Sequence, residues 1–234
     1  MIRLDKYLSD ATAYSRKDVR LLVKRNAVTV NGIIARNTDM KVDENSDSVC
    51  VNGQKITYRK FIYLMLNKPQ GYLSATEDKY DPVVTDLLPD EFKHFAPFPV
   101  GRLDKDTEGL LLLTNDGQFD HELMSPRKNL CKRYYTELDV PAAKEDIAAF
   151  ASGMEFKEFT AKPALLEIDP DDPRKVIVEI SEGKFHQVKR MCERVGKNVI
   201  FLKRISIGNL KLDESLNPGQ IRELTAEELS LFGW

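Results

Sequence analysis

Two uninterrupted apolar runs limit what this chain can fold into. Residues 61–66 (Phe-Ile-Tyr-Leu-Met-Leu) have no polar face and end at the turn-rich Asn67-Lys68-Pro69-Gln70-Gly71. Residues 110–114 are similar and stop at Asn115-Asp116-Gly117. Short apolar runs bounded by turn residues suit buried strands. Residues 134–138 and 175–180 read as further strands, and 199–202 and 209–212 are placed to close the sheet. Residues 142–152 read as a helix with Gly153 as its C-cap. Val188, Met191, Cys192 and Val195 form the apolar stripe of another helix, followed by Gly196. Thr225-Ala226-Glu227-Glu228 caps a short terminal helix, and Pro89, Pro97 and Pro99 mark an irregular segment. Irregular alternation of strands and helices, with many Gly and Pro turns, predicts an α+β fold. Its sheet is expected to be mixed and largely antiparallel, flanked by helices, rather than doubly wound.

The first 58 residues have a different character. Leu4, Tyr7, Leu8 and Ala11 recur at helical spacing. Ser15, with Asp18 three residues on, starts a second helix whose apolar stripe is Val19, Leu22 and Val23. Arg16, Lys17, Arg20 and Lys24 lie off that stripe, on the solvent side. Asn31-Gly32 and Asn52-Gly53 each divide two short β-prone runs, and Asn-Gly supplies the positive φ angles of a two-residue hairpin turn. Net charge is −2, yet residues 1–41 carry nine basic and four acidic groups, a local +5 that leaves −7 for the remainder. A basic head on an acidic body points to a polyanionic partner for the head. Residues 57–60 read as a linker, giving domains at 1–58 and 59–234.

Several function classes recede. No apolar run approaches the roughly 20 residues of a membrane helix, and the charged start MIRLDKYLSD has no signal core. A cytoplasmic protein is expected. Cys50, Cys131 and Cys192 are dispersed, and His94, His121 and His186 have no metal or triad spacing, so neither a disulfide framework nor a metal site is expected. No glycine-rich phosphate loop is present, and no cofactor is expected.

The densest chemical signal is Gly101-Arg102-Leu103-Asp104-Lys105-Asp106-Thr107-Glu108-Gly109-Leu110, two carboxylates, a hydroxyl and an arginine ahead of an apolar strand. Asp104-Lys105-Asp106-Thr107 has the D-x-D-T form of haloacid-dehalogenase phosphatases. In that family, however, the motif directly follows an apolar strand, whereas here the strand comes after it. The longer string resembles the signature of the RsuA-type branch of the pseudouridine synthases. Residues 65–71 resemble that branch's first motif, Lys132-Arg133-Tyr134 its K-x-Y motif, and residues 181–191 its third motif. Residues 2–48 resemble an S4 RNA-binding domain.

The resemblance implies isomerisation of a specific uridine in ribosomal RNA. Such a reaction loses no group and needs no redox agent. It implies Asp104 as nucleophile, either attacking the sugar or abstracting a ribose proton. A carboxylate that stays ionised in a pocket filled by a base needs a cation beside it, and Lys189 matches the basic residue that pairs with it. Tyr134 matches the tyrosine that stacks on the uracil. Adjacent Tyr135 is the alternative, since neighbours on a strand face opposite sides. Arg102 would touch a phosphate or prop open the stack, and Leu202 would be pocket wall or plain core. Lys68, His186 and Gln187 would join Arg16, Lys17, Arg20 and Lys24 in contacting RNA. Residues 120–127 resemble the small-subunit enzymes, which makes 16S rRNA the expected substrate and 23S rRNA the alternative. The partner is then ribosomal RNA or an assembly particle, engaged by a monomer away from membranes. A non-catalytic S4-containing RNA-binding factor is the reading outside enzymology.

Overall fold

The computed structural model describes residues 1–125 and 128–234. The chain forms two compact units. One comprises residues 1–62 with 88–97, the other 63–87 with 98–234. The sequence reading divided the chain after residue 58 and contained no return of 88–97 to the first unit.

In the first unit, helices Leu4–Ala11 and Arg16–Lys24 pack beside a four-stranded antiparallel sheet. Ser15 caps the second helix reciprocally: its hydroxyl accepts from the Asp18 N–H, and the Asp18 carboxylate accepts from the Ser15 N–H. The hairpins Val28–Val30/Ile33–Ile34 and Val49–Val51/Gln54–Ile56 turn at Asn31-Gly32 and Asn52-Gly53, all four residues having φ between 51° and 80°. Leu4, Tyr7, Leu8, Val19, Val28, Val42 and Val49 form the core.

The second unit is built on a nine-stranded sheet. Its main path runs Leu165–Ile168, Lys175–Ile180, Lys132–Leu138, Val199–Ile207, Glu108–Thr114, Tyr63–Lys68, Ile221–Glu223. Phe98–Val100 pairs with Glu108–Thr114, and Leu210–Lys211 with Val199–Ile207. All these pairings are antiparallel except that of Val199–Ile207 with Glu108–Thr114, which is parallel. The apolar runs are central strands, as expected from their lack of a polar face: Leu64, Met65, Leu66, Leu110, Leu111 and Leu113 have no exposed surface. On one side Met65, Leu110 and Leu112 pack with Phe119, Leu123 and Phe232. Phe119 meets Tyr63, Phe232 and Trp234 edge-on.

Some boundaries differ from expectation. Residues 199–202 extend into the nine-residue strand Val199–Ile207, because alternate positions to Ile207 are buried. Asn115-Asp116-Gly117, expected only to end a strand, also begins helix Gly117–Met124, with the Asp116 carboxylate accepting from the Gln118 and Phe119 N–H groups.

Gly109 sits where the parallel strands pair, opposite Arg204, at φ +102°. A Cβ there would lie 2.2 Å from the Arg204 carbonyl oxygen. Gly109→Ala is therefore expected to destabilise the protein by roughly 3 kcal/mol or more, combining overpacking and backbone strain. Gly32→Ala, where a Cβ meets nothing, should cost only about 1 kcal/mol. Urea-unfolding midpoints at constant m-value check both.

Candidate active site

Lys68 ends the strand Tyr63–Lys68 opposite Gly109, so its side chain runs beneath the loop that leads into Glu108–Thr114. There its ammonium donates to the carbonyls of Pro69 (3.0 Å), Asp104 (3.0 Å), Lys105 (3.3 Å) and Thr107 (2.9 Å). Further ties hold the same loop. The Ser74 hydroxyl donates to the Leu103 carbonyl and accepts from the Leu103 N–H, and the Gly71 N–H donates to the Lys105 carbonyl. Lys105 pairs with Asp81 at 2.6 Å. The loop's backbone is thus determined at each residue from 103 to 105, and its Thr107 N–H closes onto the Asp104 carbonyl.

The Asp104 side chain is 30% exposed, in a shallow pocket lined by Gln70, Gly71, Asp104, Lys105, Asp106 and His186. Its Oδ2 lies 3.5 Å from Lys189 Nζ and 3.6 Å from His186 Nε2. Lys189 comes from helix Gln187–Arg194 and makes its shortest contact with Asp106, at 2.6 Å. It therefore bridges two carboxylates rather than pairing with Asp104 alone. Burial acts to raise the Asp106 carboxyl, but the hydrogen bond and charge of Lys189 outweigh it and hold the group below the usual carboxylate range.

Tyr134 and Tyr135 lie on opposite faces of Lys132–Leu138. Tyr134 is buried and stands opposite Arg204, while Thr136 stands opposite Leu202, so Tyr134, Arg204 and Leu202 share one face. Tyr135 meets Phe201 edge-on, and its hydroxyl donates to Glu137. Arg204 donates through Nε to the Leu110 carbonyl at 2.7 Å. Burial lowers the Lys132 ammonium, and the nearby Arg204 charge lowers it further.

Two residues expected to contact RNA are placed otherwise. Lys68 is fully buried against carbonyl groups, because the strand direction carries its side chain under the loop instead of outward. Gln187 is also buried; its side chain accepts from the Lys184 N–H and donates to Glu182, binding the 182–187 turn together. His186 and Lys189 are brought to Asp104, and Arg102 is exposed beside it in the chain. In the first unit Arg16, Lys17, Arg20 and Lys24 are exposed. Arg20 and Lys24 line a shallow groove with Arg3 and Arg36. Sequence reasoning passed over Ser74, Asp81 and Arg204, which nothing but their three-dimensional neighbours marks out. Asp106 stood within the motif, and its acidic side chain next to a nucleophile candidate was the available signal. Among the described residues, no group of three or more His, Cys, Asp or Glu side chains could hold a metal ion. No helix among them is long and apolar enough to cross a membrane.

A carboxylate at the mouth of a pocket, on a loop held by buried bonds and faced by a lysine and a histidine, fits covalent or proton-transfer chemistry on a nucleoside. Comparison with known proteins defines the class. Residues 62–194 match the RNA pseudouridylate synthase family, and residues 2–48 match the S4 domain. The chain belongs to the RNA pseudouridylate synthase family and is an RNA pseudouridine synthase with an N-terminal S4 domain. It is 48% identical over 233 residues to an uncharacterized RNA pseudouridine synthase of Bacillus subtilis (strain 168), covering 98% of each chain. It is 41% identical to ribosomal small subunit pseudouridine synthase A of Escherichia coli (strain K12), covering 98% of this chain and 99% of that one. A crystal structure of a pseudouridylate synthase superposes with a TM-score of 0.69 at 34% identity, over 99% of this chain and 100% of the other.

Burial pushes the Lys68 ammonium down to about 8, with Asp106, Asp104 and Glu108 acting against that shift. Lys68→Met would take this donor from the Pro69 and Thr107 carbonyls, while the Gly71 and Thr107 N–H groups would still serve those of Lys105 and Asp104. The expected outcome is a loss of roughly 3 kcal/mol in stability and a fall in kcat much larger than any change in RNA affinity. Urea unfolding, filter binding and single-turnover kinetics on the same variant separate these three effects.

Proposed function

We propose that this enzyme converts one uridine of 16S rRNA to pseudouridine, with Asp104 as the nucleophile. The observation that carries this reading is the placement of the Asp104 carboxylate at the pocket, 3.5 Å from the Lys189 ammonium, on a loop tethered from beneath by Lys68. In the reaction the bond between ribose C1′ and uracil N1 breaks. The base turns, C5 bonds to C1′, the C5 proton leaves and N1 gains a proton, so the atoms balance without an added reagent. Asp104 acts at the ribose, by attack at C1′ or by removing a ribose proton. Lys189 supplies the cation beside its carboxylate as the base fills the pocket. Tyr134 provides the ring on which the uracil stacks, on the face it shares with Leu202. Tyr135 is engaged by Glu137 on the opposite side, which favours Tyr134 in this role.

The 16S assignment rests on the full-length likeness to proteins named ribosomal small subunit pseudouridine synthase A. Residues 120–127 also suggested it, although Pro126 and Arg127 lie outside the described residues. The target must leave its stack to reach Asp104, at a cost of a few kcal/mol. Arg16, Lys17, Arg20 and Lys24 offset part of this through phosphate contacts that weaken as salt rises. Arg102 is exposed and able to reach a phosphate in the same way. The enzyme acts as a cytoplasmic monomer on rRNA or on an assembly particle.

Tritium release from rRNA labelled at uracil C5 tests the chemistry, and carbodiimide-stop primer extension on 16S and 23S RNA locates the product. Wild type is expected to release tritium and leave one stop in 16S RNA. Asp104→Asn should bind RNA normally and release tritium on the order of 10⁶-fold more slowly, the scale on which loss of a serine protease's nucleophile slows catalysis. A stop in 23S RNA would move the target to the large subunit. Binding without release by wild type, on naked RNA and on particles, would leave an RNA-binding factor.

A further inference from the structure

We propose that Phe185, stacked on His186, is the surface on which a base flanking the target uridine stacks once the uridine has been extracted. The proposal rests on the reading that the Asp104 pocket receives that uridine. Phe185 is 71% exposed, and its ring lies nearly parallel to the His186 imidazole, with centroids 3.8 Å apart and planes 18° apart. His186 in turn lines the pocket and places Nε2 3.6 Å from Asp104 Oδ2. The order outward is therefore carboxylate, imidazole, phenyl ring, with the last ring open to solvent.

His186 is held in an unfavourable conformation. Its φ and ψ are 52° and 29°, the left-handed region that a residue with a Cβ seldom adopts. It occupies the N-cap position of helix Gln187–Arg194, yet its side chain makes no capping hydrogen bond, so capping does not account for the conformation. Strain of this kind persists where the surroundings enforce it, and functional sites are where it gathers. The buried Gln187, bonded to Lys184 and Glu182, enforces it here. The result is an imidazole turned to Asp104 and a phenyl ring carried just outside it.

The occupant follows from position and charge. The imidazole stands between Phe185 and the pocket, so the ring does not meet the base that reacts at Asp104 and is left for a neighbour in the strand. Exposed Lys184 precedes it, and exposed Arg102 and Lys105 flank Asp104, as a phosphate backbone requires. Extraction of a nucleotide strips its neighbours of a stacking partner, and an aromatic ring replaces that partner whatever the base. Aliphatic residues of a protein partner would find the same ring but would not need its aromatic character.

The test uses the full chain with a mixture of 16S and 23S transcripts labelled at uracil C5. Phe185→Ala and Phe185→Leu are expected to raise both Kd and KM about tenfold, the scale of one lost base–aromatic stack, with kcat nearly unchanged. Phe185→Trp should restore both constants. Its emission should also be quenched by RNA beyond any change in wild type, whose sole tryptophan is Trp234. Because the ring is exposed, thermal unfolding of all three variants should match wild type. Wild-type constants in Phe185→Ala would overturn the proposal, and wild-type constants in Phe185→Leu would reassign the ring to aliphatic contact. Asp104→Asn separates the two readings, since it should abolish release while keeping wild-type Kd. If wild type itself releases no tritium, the inference falls together with the assignment of the pocket.

Discussion

An ammonium group buried under four carbonyl oxygens fixes the loop from which Asp104 projects. Lys68 has no exposed surface, and its Nζ bonds to the carbonyls of Pro69, Asp104, Lys105 and Thr107. Burying a charge is costly unless hydrogen bonds replace its water, and here the replacements all come from backbone. That choice of partners matters. A carboxylate partner would have neutralised the lysine, whereas carbonyl dipoles leave its charge to act on Asp104 and Asp106 just above. One side chain therefore orders the loop and biases its electrostatics, and the loop in turn depends on the antiparallel pairing of Lys68 with Gly109.

The same dependence explains the glycine at 109. The sheet is antiparallel except where Val199–Ile207 meets Glu108–Thr114, and at that junction Arg204 approaches too closely for a side chain opposite it. Arg204 bonds the Leu110 carbonyl through Nε and lies on the face of Tyr134 and Leu202. A Cβ at residue 109 would press on the Arg204 backbone and so disturb the loop that begins the strand and the face that carries the tyrosine.

Much of this was legible in the sequence because it was written locally. The capping box at Ser15, the two Asn-Gly hairpins, Gly153 and Gly196 after their helices, and the apolar central strands each follow from a few adjacent residues. Asp104, with the Lys189 and His186 beside it, was legible only through likeness to a family, since the other two follow the aspartate by 82 positions or more and no periodicity links them. What was misplaced shows the limit. Lys68 and Gln187 are polar and sit in motifs, which suggests solvent and RNA, yet both are internal ties. Residue type gives the bonds a side chain can make; the fold decides whether nucleic acid or the chain's own backbone makes them.

The arrangement of charge around the loop gives Lys189 a further meaning. Asp104, Asp106 and Glu108 stand on one short stretch, so three like charges lie close together there. Lys68 lies beneath them, Arg204 and Lys132 lie in the sheet behind, and Lys189 bridges the first two from its helix. Lys189 is bound more closely to the exposed Asp106 than to Asp104, at 2.6 Å against 3.5 Å. Asp106 thereby draws the lysine partly off Asp104 without removing it, so Asp104 keeps a cation nearby at 3.5 Å while the shorter contact goes to its neighbour. On the proposed function, a base entering the pocket would displace water from Asp104 and so strengthen the attraction of Lys189 to it. Asp106, at 68% exposure, keeps the solvent that can replace the lysine as its partner. The second aspartate of the motif is thus suited to hold the cation in reserve beside the first.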